Sequence, residues 1–155
     1  MRIWAPLILA VLSLTAGLTS VGAAATDQFE LQAQCRELAA QYFSAEYGNG
    51  IYNNDYVDPD TRKTLYDETR YAFTNRYNAE KNKCFMVITS KNVTKFDNIE
   101  NLAIWVMIID LDERHVIGML HHLNDGAHAD VCFVGPQDCH SKNEWEFLLR
   151  PYMQD

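Results

Sequence analysis

Residues 121–140 read HHLNDGAHADVCFVGPQDCH and hold four of the chain's five histidines and two of its four cysteines. Imidazole and thiolate are metal and haem ligands, so that chemistry comes first. Covalent haem attachment needs Cys-x-x-Cys-His, so that both thioethers reach one ring. Cys132 and Cys139 are too far apart for that, although His140 follows the second. A structural zinc site is built from short Cys or His pairs. His122 and His128 are spaced too widely for a helical pair. On a strand, His121 and His122 point to opposite faces. One metal reading survives: His121 or His122 with His128 and His140, helped by Asp125 or Asp130.

The competing reading is a disulfide between Cys132 and Cys139. Gly135-Pro136 between them is a turn signal that brings the chain back. Chain-entropy arithmetic gives so short a closure about 2.5 kcal/mol. Cys35 and Cys84 would then pair across a longer loop, worth about 4 kcal/mol. Four cysteines allow three pairings. The local closure and the apolar flanks of Cys35 and Cys84 favour this one. No cofactor is expected on this reading.

Oxidised cysteines require an oxidising compartment, and the N-terminus supplies the route. MRIWAPLILAVLSLTAGLTSVGAAATDQFE has Arg2, an apolar run from Ile3 to Leu18, and small residues ending in Ala23-x-Ala25. That is the layout of a signal peptide over residues 1–25, with cleavage before Thr26. The apolar run is short for a membrane span and is diluted by Thr15, Gly17, Thr19 and Ser20. The remaining residues, 26–155, are one domain by length, large enough to fold without a metal. The expected location is periplasmic or secreted, with no membrane association after cleavage. The chain carries 13 basic and 21 acidic residues, a net charge of −8. Such an acidic balance argues against nucleic acid and anionic membranes as partners, and permits basic ones.

No G-x-S-x-G, H-E-x-x-H, phosphate-loop or dinucleotide-binding glycine motif occurs. Asp110, Asp112 and Glu113 in DLDER are oxygen ligands for calcium or candidate acids, but read first as a solvated hairpin turn. Residues 58–60, DPD, read as a turn or helix cap. Asn92-Val-Thr94 is a glycosylation sequon, of consequence only in a eukaryotic secretory pathway. Tyr47, Tyr52, Tyr56, Tyr66, Tyr71 and Tyr77 are either a binding surface or the cover of an open sheet face, and the second reading is preferred.

The elements that position these residues follow from periodicity. Cys35, Leu38, Ala39, Tyr42 and Phe43 make one helical stripe between Asp27 and Tyr47. Asp27 with Glu30 caps its start, and Gly48-Asn49-Gly50 stops it. Residues 49–68 read as a long polar loop with a short helix after Asp60. Strands are expected at 69–78, 84–90, 102–111 and 116–123, with a short fifth in ADVCFVG. The third of these, LAIWVMIIDL, reads as a central strand covered on both faces. Ser141 and Glu144 form a capping box for a last helix, which Pro151 should kink or end. The expected fold class is α+β: an N-terminal helix, an antiparallel meander of four to five strands, and a C-terminal helix packed on the sheet, in two layers.

Within this layout, RYNAEKNKCFMVIT resembles a Y-N-x-x-x-x-K-C-F stretch of small uncharacterised exported bacterial proteins. The matching residues are Tyr77, Asn78, Lys83, Cys84 and Phe85. That family is also marked by an early helical cysteine, here Cys35, a closing cysteine pair, here Cys132 and Cys139, and a helix ending in L-x-P-Y-M, here within Leu148 to Met153. The resemblance covers most of the mature chain thinly. It implies export and the disulfide frame, and it implies no activity. The histidine-rich stretch is not one of its features.

The sequence therefore describes an exported, disulfide-stabilised domain with a binding or structural role rather than a catalytic one, its partner an unspecified protein or small molecule. The alternative is a metal-binding protein or metal-dependent enzyme using His121, His122, His128 and His140.

Overall fold

A computed structural model describes residues 20–54, 56–57, 59–60, 64–96, 99–123 and 129–154. The leader expected at 1–25 lies outside them except for the backbone from residue 20. Helix α1 runs Ser20–Tyr47. The cap expected at Asp27 is therefore not one, because the helix continues upstream through it. Ala23-Ala24-Ala25 are the strongest helix formers and carry the helix upstream of Thr26. The helix stops where expected. Gly48 takes the left-handed conformation (φ 58°), and its N–H reaches the Ser44 carbonyl at 3.1 Å.

Eight strands follow: β1 Ile51–Asn53, β2 Tyr56–Val57, β3 Thr64–Asn78, β4 Lys83–Phe96, β5 Ile99–Asp110, β6 His115–Leu123, β7 Val131–Val134 and β8 Gln137–Asp138. Helix α2, Lys142–Met153, closes the chain. The sheet order is β1-β3-β4-β5-β6-β7-β8, with β2 pairing β3 beside β1, and every pairing is antiparallel. This is the α+β meander expected, with longer strands and three additional short ones.

Residues 49–68 are not one long loop. They include β1 and β2, which lie against the first half of β3. Asp60 sits in a turn and Thr64 already belongs to β3; the short helix expected after Asp60 falls on 61–63, outside the described residues. The reason is physical. Beyond the reach of the helices, Leu65 to Thr69 and Asn92 to Thr94 are only half-buried and mostly polar. Alternation marks a strand where one face is dry and the other wet, and here neither face is dry.

The two helices cover opposite faces, which corrects the two-layer expectation. Cys84, Met86, Ile88 and Ile109 pack with Cys35, Ala39 and Tyr42 of α1. The alternate residues Phe85, Val87 and Ile108 pack with Trp145, Leu148 and Tyr152 of α2. Side chains alternate across a strand, so CFMVI feeds both layers at once. β5 is central as expected, but it is fully covered on both faces only at its Ile108–Asp110 end. Ser141 caps α2, accepting from the Glu144 N–H at 3.3 Å, while the Glu144 carboxylate accepts from the His140 N–H at 2.8 Å. Pro151 does not stop the helix at once; it ends two residues later, at Met153.

Candidate functional site

Cys35 is bonded to Cys84, and Cys132 to Cys139. All four are buried. The first pair ties α1 to β4. The second closes β7 onto the approach to α2, where the Cys139 N–H also donates to the Cys132 carbonyl at 3.0 Å. Among the described residues there is no free thiol.

The histidines divide between the two faces. His121 stacks on Trp105, its cross-strand neighbour, with ring centroids 3.8 Å apart. Its Nδ1 lies 3.3 Å from Asp130 Oδ2. His122 is buried on the opposite face of β6. His140 is exposed before α2, where its backbone is engaged with Glu144 and Ala129. His128 and Asp125 lie outside the described residues. The structure thus separates His121 from His122, and the described residues do not bring the proposed ligands together.

Among the described residues, His115 is the histidine grouped with two carboxylates. One ligand atom each from Asp110, Glu113 and His115 lie within 4.8 Å of one another. Lys83 already serves the two carboxylates: its Nζ is 2.6 Å from Asp110 Oδ2 and also pairs with Glu113. Hydrogen bonds to Asp110 and then Glu113 hold the ammonium above its ordinary pKa. Burial by itself would raise Asp110. The Lys83 hydrogen bond and the backbone amides of Glu113 and Asp112 outweigh it, and the carboxyl sits below its ordinary value. Asp110 Oδ1 accepts those amides at 3.2 and 3.1 Å, and Asp112 accepts the Cys84 N–H at 2.8 Å. DLDER is a turn tied together by its own carboxylates and by Lys83.

The tyrosines also divide. Tyr71 and Tyr77 are half-buried against the α1 layer, as is Tyr47, which packs on Tyr71 with centroids 4.7 Å apart. Burial, followed by the neighbouring Tyr42 and Tyr71 and by Glu46, raises the Tyr47 phenol. Tyr66 is half-buried and bonded to Glu68. Tyr52 and Tyr56 remain outside. Together with Ile51 and Val57 they are 48–56% exposed, on the two short strands at the sheet's outer edge. Tyr52 stands edge-on against Tyr71, at 5.6 Å between centroids, and is positioned by that contact. Gly50 makes the approach possible. It has φ 75°, and a Cβ there would meet the Tyr71 carbonyl at 2.8 Å. Ile51 and Val57 were missed from the sequence because an exposed aliphatic residue carries no signal of its own.

The sequon asparagine is engaged within the sheet. Asn92 Nδ2 donates to Thr69 Oγ1 at 2.8 Å and to Asp67. Among the described residues, no helix is long and apolar enough to cross a membrane. The class the fold defines is a disulfide-stabilised α+β domain. No protein-family model matches the chain, nor does any curated protein or solved structure.

Proposed function

We propose that this is an exported domain that binds a protein partner through the outer edge of its sheet, without chemistry of its own. The observation carrying the reading is the pair Tyr52 and Tyr56, about half exposed on one face of the sheet edge, with Ile51 and Val57 exposed on the other face. Exposed large apolar side chains grouped at a sheet edge mark interaction sites, and tyrosine is enriched among the residues that dominate binding energy. Support for export comes from the signal-peptide layout, from two disulfides that belong in an oxidising compartment, and from the resemblance to exported bacterial proteins. The groups that looked catalytic in the sequence are committed to the fold, Asp110 to Lys83 and Asp112 to the Cys84 amide.

The test is affinity capture from the exported fraction with the wild type and with a Tyr52→Ser/Tyr56→Ser variant, followed by titration of the captured partner. A partner held by the wild type and weakened ten-fold or more by the variant supports the reading, about 1.4 kcal/mol. Equal binding by the variant defeats it. Export is tested by intact mass of the natural product: Thr26–Asp155 less four hydrogens is expected, and a retained leader or free thiols would contradict it.

A further inference from the structure

The sheet face that carries α1 continues past the helix onto β5 and β6. The helix itself lies against β3 and β4. On this face Met107 stands opposite Ile88, and Met119 stands opposite Met107. Two residues along each strand, Trp105 and His121 oppose one another on the same side. All four side chains are half-buried, and none belongs to either apolar cluster of the core. Phe133 of β7, opposite Met119, borders them. Methionine ordinarily fills gaps inside a core. These two lie outside both cores, beside an imidazole.

His121 is held in the way a ligand is held. Its ring stacks on Trp105 with the two planes 23° apart. Its backbone carbonyl accepts the Asp130 N–H at 2.9 Å, and its Nδ1 lies 3.3 Å from the Asp130 carboxylate. A carboxylate there keeps the proton on Nδ1 and leaves the lone pair on Nε2, as behind metal-ligating histidines. Among the described residues, nothing hydrogen-bonds Nε2. Directly opposed side chains on a sheet have Cβ atoms about 4.5–5.5 Å apart, and diagonal ones about 7–8 Å. Two flexible thioethers and the imidazole can therefore reach one point without movement of the backbone. All four cysteines are consumed in disulfides, so thioethers are the soft donors that remain.

Two sulfurs and one nitrogen, all neutral, do not suit calcium or magnesium, which take oxygen ligands. Structural zinc sites take four ligands, from thiolate and imidazole. Thioether sulfur selects cuprous copper. We propose that Met107, Met119 and His121 form a three-coordinate site for Cu(I), with Trp105 and Asp130 as positioning residues for the imidazole. The site is separate from the β1 edge and does not depend on the partner-binding role.

The probe is silver(I), a redox-inert ion with the same soft, monovalent character. The oxidised protein, its methionine methyl groups isotopically labelled, is titrated with silver nitrate in chloride-free buffer and followed by NMR. The methyl signals of Met107 and Met119 should shift together and saturate at a single equivalent, while that of Met86, buried under α1, stays in place. Zinc should bind at least about ten-fold more weakly than silver. Met107→Leu/Met119→Leu keeps the side-chain volume and removes both sulfurs, and should weaken silver binding ten-fold or more, about 1.4 kcal/mol. His121→Phe keeps a ring on Trp105, removes Nε2, and should weaken binding in the same direction. Unshifted Met107 and Met119 methyl signals overturn the proposal, and that result needs no variant to fold. So does undiminished silver binding by the leucine pair, which would place the ion on exposed histidines. Zinc binding as tight as silver would mean a nitrogen and oxygen site and would equally reject it.

Discussion

The side-chain amide of Asn78, at the end of β3, donates to the backbone carbonyl of Pro151, 73 residues later, at 3.1 Å. The same Nδ2 lies 3.3 Å from the carbonyls of Tyr152 and Gln154. Its Oδ1 accepts the Lys81 N–H at 2.9 Å, which shapes the β3–β4 turn. A helix ends with carbonyls that have no partner within it. Here a buried asparagine from the first hairpin provides for them. Phe85, on the next strand, meets the Tyr152 ring edge-on at 5.3 Å. Asn78, Lys83, Cys84 and Phe85 thus contact α2, DLDER and α1, and they hold the body together.

Replacing Asn78 by alanine should cost about 1–3 kcal/mol, the range for leaving buried polar groups without partners. Asn78→Asp should be at least as harmful at neutral pH, because it sets a second acceptor against the carbonyls. Urea unfolding measures the total. Amide exchange should rise first in the last turn of α2, and protection unchanged there would show that the asparagine is not what holds it.

The disulfides should differ in worth. Removing Cys132–Cys139 as a double serine variant should cost about 2.5 kcal/mol, and removing Cys35–Cys84 about 4 kcal/mol, on the entropy of the loops they close. Serine oxygens in these buried sites add to both losses. Thermal unfolding of the two variants gives the order, and a larger loss for the shorter loop would reject the loop-length account.

Gly118 has no room to grow. A Cβ there would meet the Phe133 carbonyl at 2.8 Å, Ile108 Cγ2 at 2.9 Å and Val134 Cα at 3.1 Å. Two of these neighbours are backbone, and the third belongs to a fully buried side chain. Gly118→Ala should cost about 1–3 kcal/mol by overpacking, read as a shift in denaturant midpoint. A neutral result would mean that β7 can move outward freely.

Acid should loosen the DLDER turn. The Asp110 carboxyl is lowered in the fold, so its stabilisation is complete above its ordinary value near 4 and is lost as pH falls below that through the folded value. Lys83 is raised, so its share is present below its ordinary value near 10.4 and is lost only as pH rises through the folded one. Stability of wild type and Asp110→Asn across pH 2–7 should show a steeper acid limb for the wild type. Parallel limbs would remove Asp110 from the account.

The sequence by itself determined the elements that touch the core. Cys35, Leu38, Ala39, Tyr42 and Phe43 recur at helical spacing because one side of α1 is dry. Tyr71, Phe73 and Tyr77 alternate because one face of β3 lies under that helix. Ser141 and Glu144 announce α2 through local hydrogen bonds that need no tertiary partner. The separation of His121 from His122 was equally local, a consequence of strand geometry. The tertiary structure decided what depends on distant groups. It set the two helices on opposite faces, because apolar runs such as CFMVI state that both faces are covered without stating by what. It extended β3 and β4 past the helices, where wetting of both faces erases the alternation. It turned Tyr47 and Tyr71 inward while leaving Tyr52 and Tyr56 outside, since a tyrosine's exposure is set by the element laid over it and not by its neighbours in the chain. It also assigned Asp110 to Lys83 and Asn78 to Pro151, pairings between residues 27 and 73 positions apart that no local spacing encodes.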